Sequence, residues 1–336
     1  MKSIKHVFIY VVFSTTFLFV TVLVSFGQQE GISVHDPCII KQDSTYHIFC
    51  TGWGITSWSS TDLKHWTKGK SVFDKVPAWT QHAVLGFRNF FWAPDISYYN
   101  GQYYLFYAVS AFGKNTSCIG LAANKTLNES SPDYHWSDHG KIIQSVPGRD
   151  MWNAIDPNLI VDGDGTPWLD FGSFWDGIKL VKLNPDRLKI AEPEVWYTIA
   201  TRKRTFGISD TLAGDAAIEA PYIFHKGKYY YLFVSFDYCC RGVNSNYKIV
   251  IGRSEGVNGP YMDKGGTPLT KGGGTILLEG DRNWDGLGHN AILSDAGKDY
   301  LVFHAYDAND NGKPKLRILQ MDWDKNGWPT VVNENK

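Results

Sequence analysis

Helix is what this chain has least of. Beyond the first 28 residues no stretch of the 336 carries the three- and four-residue apolar spacing of an amphipathic helix, so strands must build the core. Linkers, low-complexity tracts and blocks of like charge are also missing, and nothing marks a second domain. Formal net charge is only −1, from 33 Lys+Arg against 34 Asp+Glu. That balance argues against nucleic acid and against electrostatic capture by a membrane surface, and points to a neutral partner. Cysteine is sparse and odd in number, five in all, with no C-x-x-C pair, which argues against a zinc site. Cys38 and Cys50 fall on strands expected to lie side by side, where a disulfide has room to form. Cys239 and Cys240 are a poorer pair, because adjacent Cα atoms are ~3.8 Å apart and an unstrained bridge spans ~4.4–6.8 Å. Free, buried thiols are the expectation for all five, Cys118 included.

What is present begins with a leader. Lys2 and Lys5 precede a largely apolar run from Val7 to Phe26 and the small Gly27, the pattern of a secretory signal over residues 1–27. The run approaches the ~20 residues that span a bilayer, so an uncleaved amino-terminal anchor is the alternative. Either way residues 28–336 are expected outside the cytoplasm, secreted or periplasmic, as one monomeric domain free of the membrane once the signal is cleaved.

Aromatic residues make up 15% of the chain, and they recur in a pattern. A polar residue, usually beside a proline, is followed by a strand, a turn and a second strand that opens with an aromatic. The starts are His35-Asp36-Pro37, Ala93-Pro94-Asp95, Ile155-Asp156-Pro157, Glu219-Ala220-Pro221 and His289-Asn290-Ala291. Aligned on Pro37, Pro94, Pro157, Pro221 and Ala291, they are spaced by 57, 63, 64 and 70 residues. Turn residues such as Asn100-Gly101 and Lys226-Gly227 separate the first two strands. Third strands follow at Ile55–Ser59, Cys118–Ala122, Gly177–Leu183, Lys248–Arg253 and Leu316–Met321, and Trp66 and Trp136 mark fourths. Five units of four short strands read as an all-β, five-bladed β-propeller. The innermost strands of a propeller line its channel, so the five starts should converge at one mouth.

Asp36 and Asp156 hold the same place in units one and three, Glu219 stands one residue earlier in unit four, and Ala93 takes the aspartate position in unit two. A turn requirement common to all units would not give this pattern, although Asp-Pro does occur as a plain turn former. Converging carboxylates fit glycoside hydrolysis, in which one is ionised and another protonated on opposite sides of a sugar. A separation of ~6.5–9.5 Å gives inversion and ~5–5.5 Å retention, and a third carboxylate should raise the acid by like-charge repulsion.

At these residues the chain resembles family 43 glycoside hydrolases, and among them the endo-α-1,5-L-arabinanases. The resemblance rests on His35-Asp36-Pro37, Phe91-Trp92-Ala93-Pro94-Asp95, Asn153-Ala154-Ile155-Asp156-Pro157, Ser173-Phe174-Trp175, Glu219-Ala220-Pro221-Tyr222 and Gly288-His289-Asn290-Ala291. It implies Asp36 as general base, Glu219 as general acid and Asp156 as the group that tunes and orients the acid, with inversion at the anomeric carbon. It also implies a cleft for arabinan or arabino-oligosaccharides. His35 would contact the sugar, Trp92 and Phe112 would stack on furanose rings, and Gly113, Asn153, Ala154 and Ile155 would shape the walls with Ser173, Phe174 and Trp175. His289 would help hold a calcium ion in the channel, largely through waters; oxygen preference alone would not have pointed to that metal. An exo-acting α-L-arabinofuranosidase or β-xylosidase is the neighbouring reading, decided by loops such as Ile199–Gly214. A non-catalytic carbohydrate-binding propeller is the more distant one.

Three further sequence features carry less. Asp307-Ala308-Asn309-Asp310-Asn311-Gly312 begins like an EF-hand loop but reaches Ile318 where glutamate is required. Asp162-Gly163-Asp164-Gly165 reads as a hairpin. Asn115, Asn124 and Asn128 begin glycosylation sequons.

Overall fold

A computed structural model describes residues 31–331; the expected leader lies outside them. Five antiparallel sheets follow one another along the chain. Blade one comprises Cys38–Gln42, Thr45–Cys50, Thr56–Ser60 and Thr67–Lys68. Blade two comprises Phe90–Tyr99, Gln102–Val109, Ser117–Asn124 and Ser137–Ser145, with the short strand Gly52–Trp53 reaching over from blade one to pair with Phe90–Tyr99. Blade three comprises Asn158–Val161, Pro167–Phe171, Ile178–Lys182 and Trp196–Ala200. Blade four is Ile218–Lys226, Tyr229–Phe236, Lys248–Ser254 and Thr275–Leu278, and blade five is Trp284–Asp295, Lys298–Asp307, Lys313–Trp323 and Pro329–Val331. Among the described residues the only α-helix is the six-residue turn Ala78–Ala83.

The first strands of the blades adjoin one another in cyclic order, with blade five returning to blade one, which makes the fold a five-bladed β-propeller. Closure is polar: Asp295 of blade five accepts from Lys41 Nζ at 2.8 Å and Tyr46 OH at 2.6 Å in blade one. The entering chain adds a backbone bond from Leu316 N to Ile32 O at 3.0 Å. Between blades the space is filled by large side chains, such as the Phe73, Phe87, Phe91 and Tyr107 cluster. Each such side chain contributes roughly 1.5–3 kcal/mol by burial.

The start of every blade has one geometry. The backbone pairs at His35–Thr51, Trp92–Ala108, Ile155–Gly172, Glu219–Ser235 and Gly288–His304. Two residues then slip out of register, and pairing resumes. The first of the two is left-handed in all five blades: Asp36, Ala93, Asp156, Ala220 and His289 have φ of 52, 42, 56, 53 and 52°. A bulge of this kind re-aims side chains toward the channel. It also corrects the alignment of the fifth unit, where Asn290 and not Ala291 stands in the proline place. His289 is therefore the true counterpart of Asp36 and Asp156.

The remaining expectations divide. All five cysteines are free, and Cys38, Cys50 and Cys118 are buried, but Cys239 is half-buried and Cys240 exposed. Asp307 and Asp310 are bound by Lys315 at 2.9 and 3.0 Å. Asp162 caps its own hairpin through Asp164 N and Thr166 N. Asn115 and Asn124 are buried, while Asn128 is exposed.

Candidate active site

The bulges tie each blade to the previous one at the rim of the channel. Asp36 N–H donates to His304 Nδ1 of blade five at 3.1 Å, and Ala93 N–H to Thr51 Oγ1 at 2.8 Å. Ala220 N–H donates to Asp156 Oδ2 at 3.1 Å, and His289 N–H to Ser235 Oγ at 2.9 Å. Between blades two and three Asp95 Oδ2 instead accepts from Leu159 N–H at 2.8 Å. Functional side chains are thus mounted on a continuous hydrogen-bonded ring.

Asp36 is held on both oxygens. Thr51 Oγ1 donates to Oδ2 at 2.6 Å, while His35 Nδ1 and His289 Nδ1 lie 2.9 and 3.2 Å from Oδ1. Burial by itself would raise this carboxyl, but the charges of His35 and His289 outweigh it and hold the group well below the usual carboxylate range. In return His35, which burial would lower, is pushed up to about 10 by Asp36. His289 moves up for the same reason against the same opposition. His304 behaves differently. Fully buried and facing charged His35, it is held well below its ordinary value, and its Nδ1 acts as an acceptor.

Glu219 sits in different company. Ser173 Oγ and Tyr247 OH each donate at 2.7 Å, to Oε2 and Oε1 respectively. Ser173 reaches it because its backbone forms a bridge to Glu219 across the blade boundary. Burial raises the Glu219 carboxyl; the two hydroxyls pull it back in part, and the charges of Cys240 and Asp36 push it further up. Like-charge repulsion, from Asp36, is present but is a lesser cause than desolvation. Asp156 is also raised, well above the ordinary range, by burial first, against opposition from His289 and with support from Glu219 and Asp36.

Two adjoining cavities, of about 510 and 380 Å³, share Trp92, Phe112, Ile155 and Glu219 in their walls. His35, Asp36, Asp156 and His289 line only the first. Gly113, Asn153, Ser173, Phe174 and Trp175 line only the second. Phe112 is 80% exposed, an open platform. Asn153 Oδ1 is buried without a partner, leaving an acceptor for a ligand hydroxyl. Two expected wall residues do less. Ala154 is fully buried in the core with Phe106 and Phe171 and touches neither cavity. Trp175 is 2% exposed and mainly anchors the 201–217 loop, through Nε1 to Asp210 O at 2.8 Å.

Sequence reasoning missed Thr51, Tyr247, Cys239 and Cys240. Gly288 was the available signal for Tyr247: a Cβ there would come within 2.0 Å of Tyr247 Cδ1, so the glycine is what lets the tyrosine reach Glu219. The cysteine pair lines both cavities. The Cys240 thiol is drawn down to about 5, chiefly by a hydrogen bond from Cys239 and then by His35. His289 offers an ion one imidazole. Among the described residues it belongs to no set of three His, Cys, Asp or Glu ligand atoms close enough to share an ion, so calcium there would keep most of its water.

A propeller cleft in which one carboxylate is shifted downward and two upward has the arrangement of a glycoside hydrolase site. The chain belongs to the glycosyl hydrolases family 43, whose model matches residues 31–329. It is 51% identical over 302 residues, 90% of this chain and 87% of the relative, to an extracellular exo-α-(1→5)-L-arabinofuranosidase of Cellvibrio japonicus. To an extracellular endo-α-(1→5)-L-arabinanase of Bacillus subtilis it is 45% identical over 301 residues, 88% of this chain and 87% of the relative. Among solved structures, an α-L-arabinanase of Cellvibrio cellulosa complexed with arabinohexaose superposes with a TM-score of 0.89 at 50% identity. That match covers 90% of this chain and 96% of the other.

Proposed function

We propose that this chain is an exported arabinanase that hydrolyses α-1,5-linked L-arabinofuranose chains from within, with inversion. The observation that carries the chemistry is the opposite displacement of two half-buried carboxylates lining one cleft, Asp36 downward and Glu219 upward. Ionised Asp36 takes a proton from water as that water attacks the anomeric carbon. Protonated Glu219 gives its proton to the departing glycosidic oxygen. When Glu219 is neutral, one of its two hydroxyl partners must turn from donor to acceptor, which Ser173 does by rotating its O–H. Asp156 positions the acid through its bond to Ala220 N–H, the residue next to Glu219. Calcium enters this reading as a largely hydrated ion beside His289, where it would supply positive charge near Asp36.

Arabinan as substrate is supported by the names of the relatives, and internal cleavage by the two cavities that meet at Glu219, leaving room for sugar on both sides. Export is supported by the leader and by the two relatives described as extracellular. Exo action is the second reading, favoured by the relative from Cellvibrio japonicus and by the anchored 201–217 loop, whose Ala213 borders the second cavity. Early products from linear arabinan decide between them. A spread of oligomer lengths is expected, whereas release of a single short product from the first minutes would overturn endo action. Proton NMR of the first-formed product should show the inverted anomer; retention would overturn the assignment of Asp36 as base.

A further inference from the structure

The absence of C-x-x-C spacing argued against a zinc site, yet the fold brings three soft ligand groups together from distant parts of the chain. One ligand atom each from His35, Cys239 and Cys240 lies within 4.8 Å of the other two. We propose that these three side chains form a binding site for a thiophilic divalent cation such as zinc or cadmium, and that its occupation switches hydrolysis off.

The spacing fits. Bonds of ~2.3 Å to sulfur and ~2.1 Å to nitrogen at tetrahedral angles put neighbouring ligands about 3.5–3.8 Å apart. His35 Nε2 stands 3.9 Å from Cys240 Sγ. His35 is also oriented as a metal-binding histidine usually is, its other nitrogen held by a carboxylate, here Asp36 Oδ1 at 2.9 Å. Cys240 is fixed by its own backbone, whose N–H donates to Tyr306 OH at 2.7 Å. That hydroxyl also meets His35 Nε2 at 2.7 Å, so an incoming ion must displace this contact and take the nitrogen in its neutral form. Cys240 already stands as the thiolate beside the His35 imidazolium, so Cys239 gives up its thiol proton and His35 its Nε2 proton to solvent as two metal–sulfur bonds and one metal–nitrogen bond form, leaving a neutral complex. All three residues line the first cavity, so water or a sugar hydroxyl there can supply a fourth ligand.

The effect on hydrolysis follows from position and rests on the function proposed above. Cys239 Sγ lies 3.7 Å from Glu219 Oε1, so a cation there favours the ionised carboxylate and withdraws the proton that the leaving group needs. Binding itself does not depend on that reading.

Cadmium is the probe, added to the full chain in a thiol-free reductant. One ion per chain and a thiolate-to-cadmium charge-transfer band are expected. Cys239→Ser/Cys240→Ser should abolish the band, and His35→Gln should weaken binding at least tenfold. A wild-type band that is absent, or that persists unchanged in the double variant, overturns the site. A measurement without variants guards against misfolding: cadmium or zinc should protect Cys239 and Cys240 together from iodoacetamide, and unchanged alkylation of both overturns the proposal. One equivalent should lower arabinan hydrolysis at least tenfold. Binding at the cysteines with hydrolysis unaltered overturns the switch. A chain with no activity on arabinan would overturn the function proposed, while the band and the alkylation still decide the site.

Discussion

Around Asp36 stand two imidazole nitrogens and one hydroxyl; around Glu219 stand two hydroxyls and a sulfur. Both carboxylates sit at blade starts and both are half-buried, so desolvation pushes each toward the neutral form. At Asp36 two imidazoles within 3.2 Å reverse that push. At Glu219 two hydroxyls at 2.7 Å only moderate it. Similar desolvation therefore ends in opposite shifts, and the neighbours decide the direction of each.

The largest test removes the difference itself. Asp36→Asn and Glu219→Gln should each lower kcat on linear arabinan by roughly 10²–10⁴, the range for loss of a general base or acid, and retention of full activity by either would remove that residue from the mechanism. A smaller effect should follow from stripping Asp36 of one positive neighbour. In His35→Gln the Asp36 pKa rises toward the ordinary range, so the acidic limb of the kcat/KM profile moves to higher pH; an unmoved limb would detach His35 from control of the base. The smallest change is expected at the acid. Tyr247 donates to the charged form of Glu219 and lowers its pKa, so Tyr247→Phe should raise that pKa and carry the alkaline limb upward. A downward shift would mean that the tyrosine stabilises the neutral acid instead.

Much of this was legible in one dimension. The repeat gave the blade count, because each blade needs the same bulge, hairpin and aromatic strand, and its exceptions gave Asp36, Asp156, Glu219 and His289. The fifth unit was read one residue out of place, since Asn290 replaces proline and only the φ values show which residue turns. Ala154 was placed in the cleft with Asn153 and Ile155; it packs into the core instead, its N–H donating to Ser145 Oγ at 2.9 Å. Cys239 and Cys240 read as buried thiols because their partner, His35, is about 200 residues away.

Sequence alone thus determined the architecture and which polar side chains meet in the cleft, since strand period, turn chemistry and repeat spacing are local properties of the chain. Tertiary structure decided the directions in which their pKa values move. Those depend on side chains brought together from different blades, as when His304 meets Asp36 across 268 residues, and no local pattern records which imidazole or hydroxyl will face a given carboxylate.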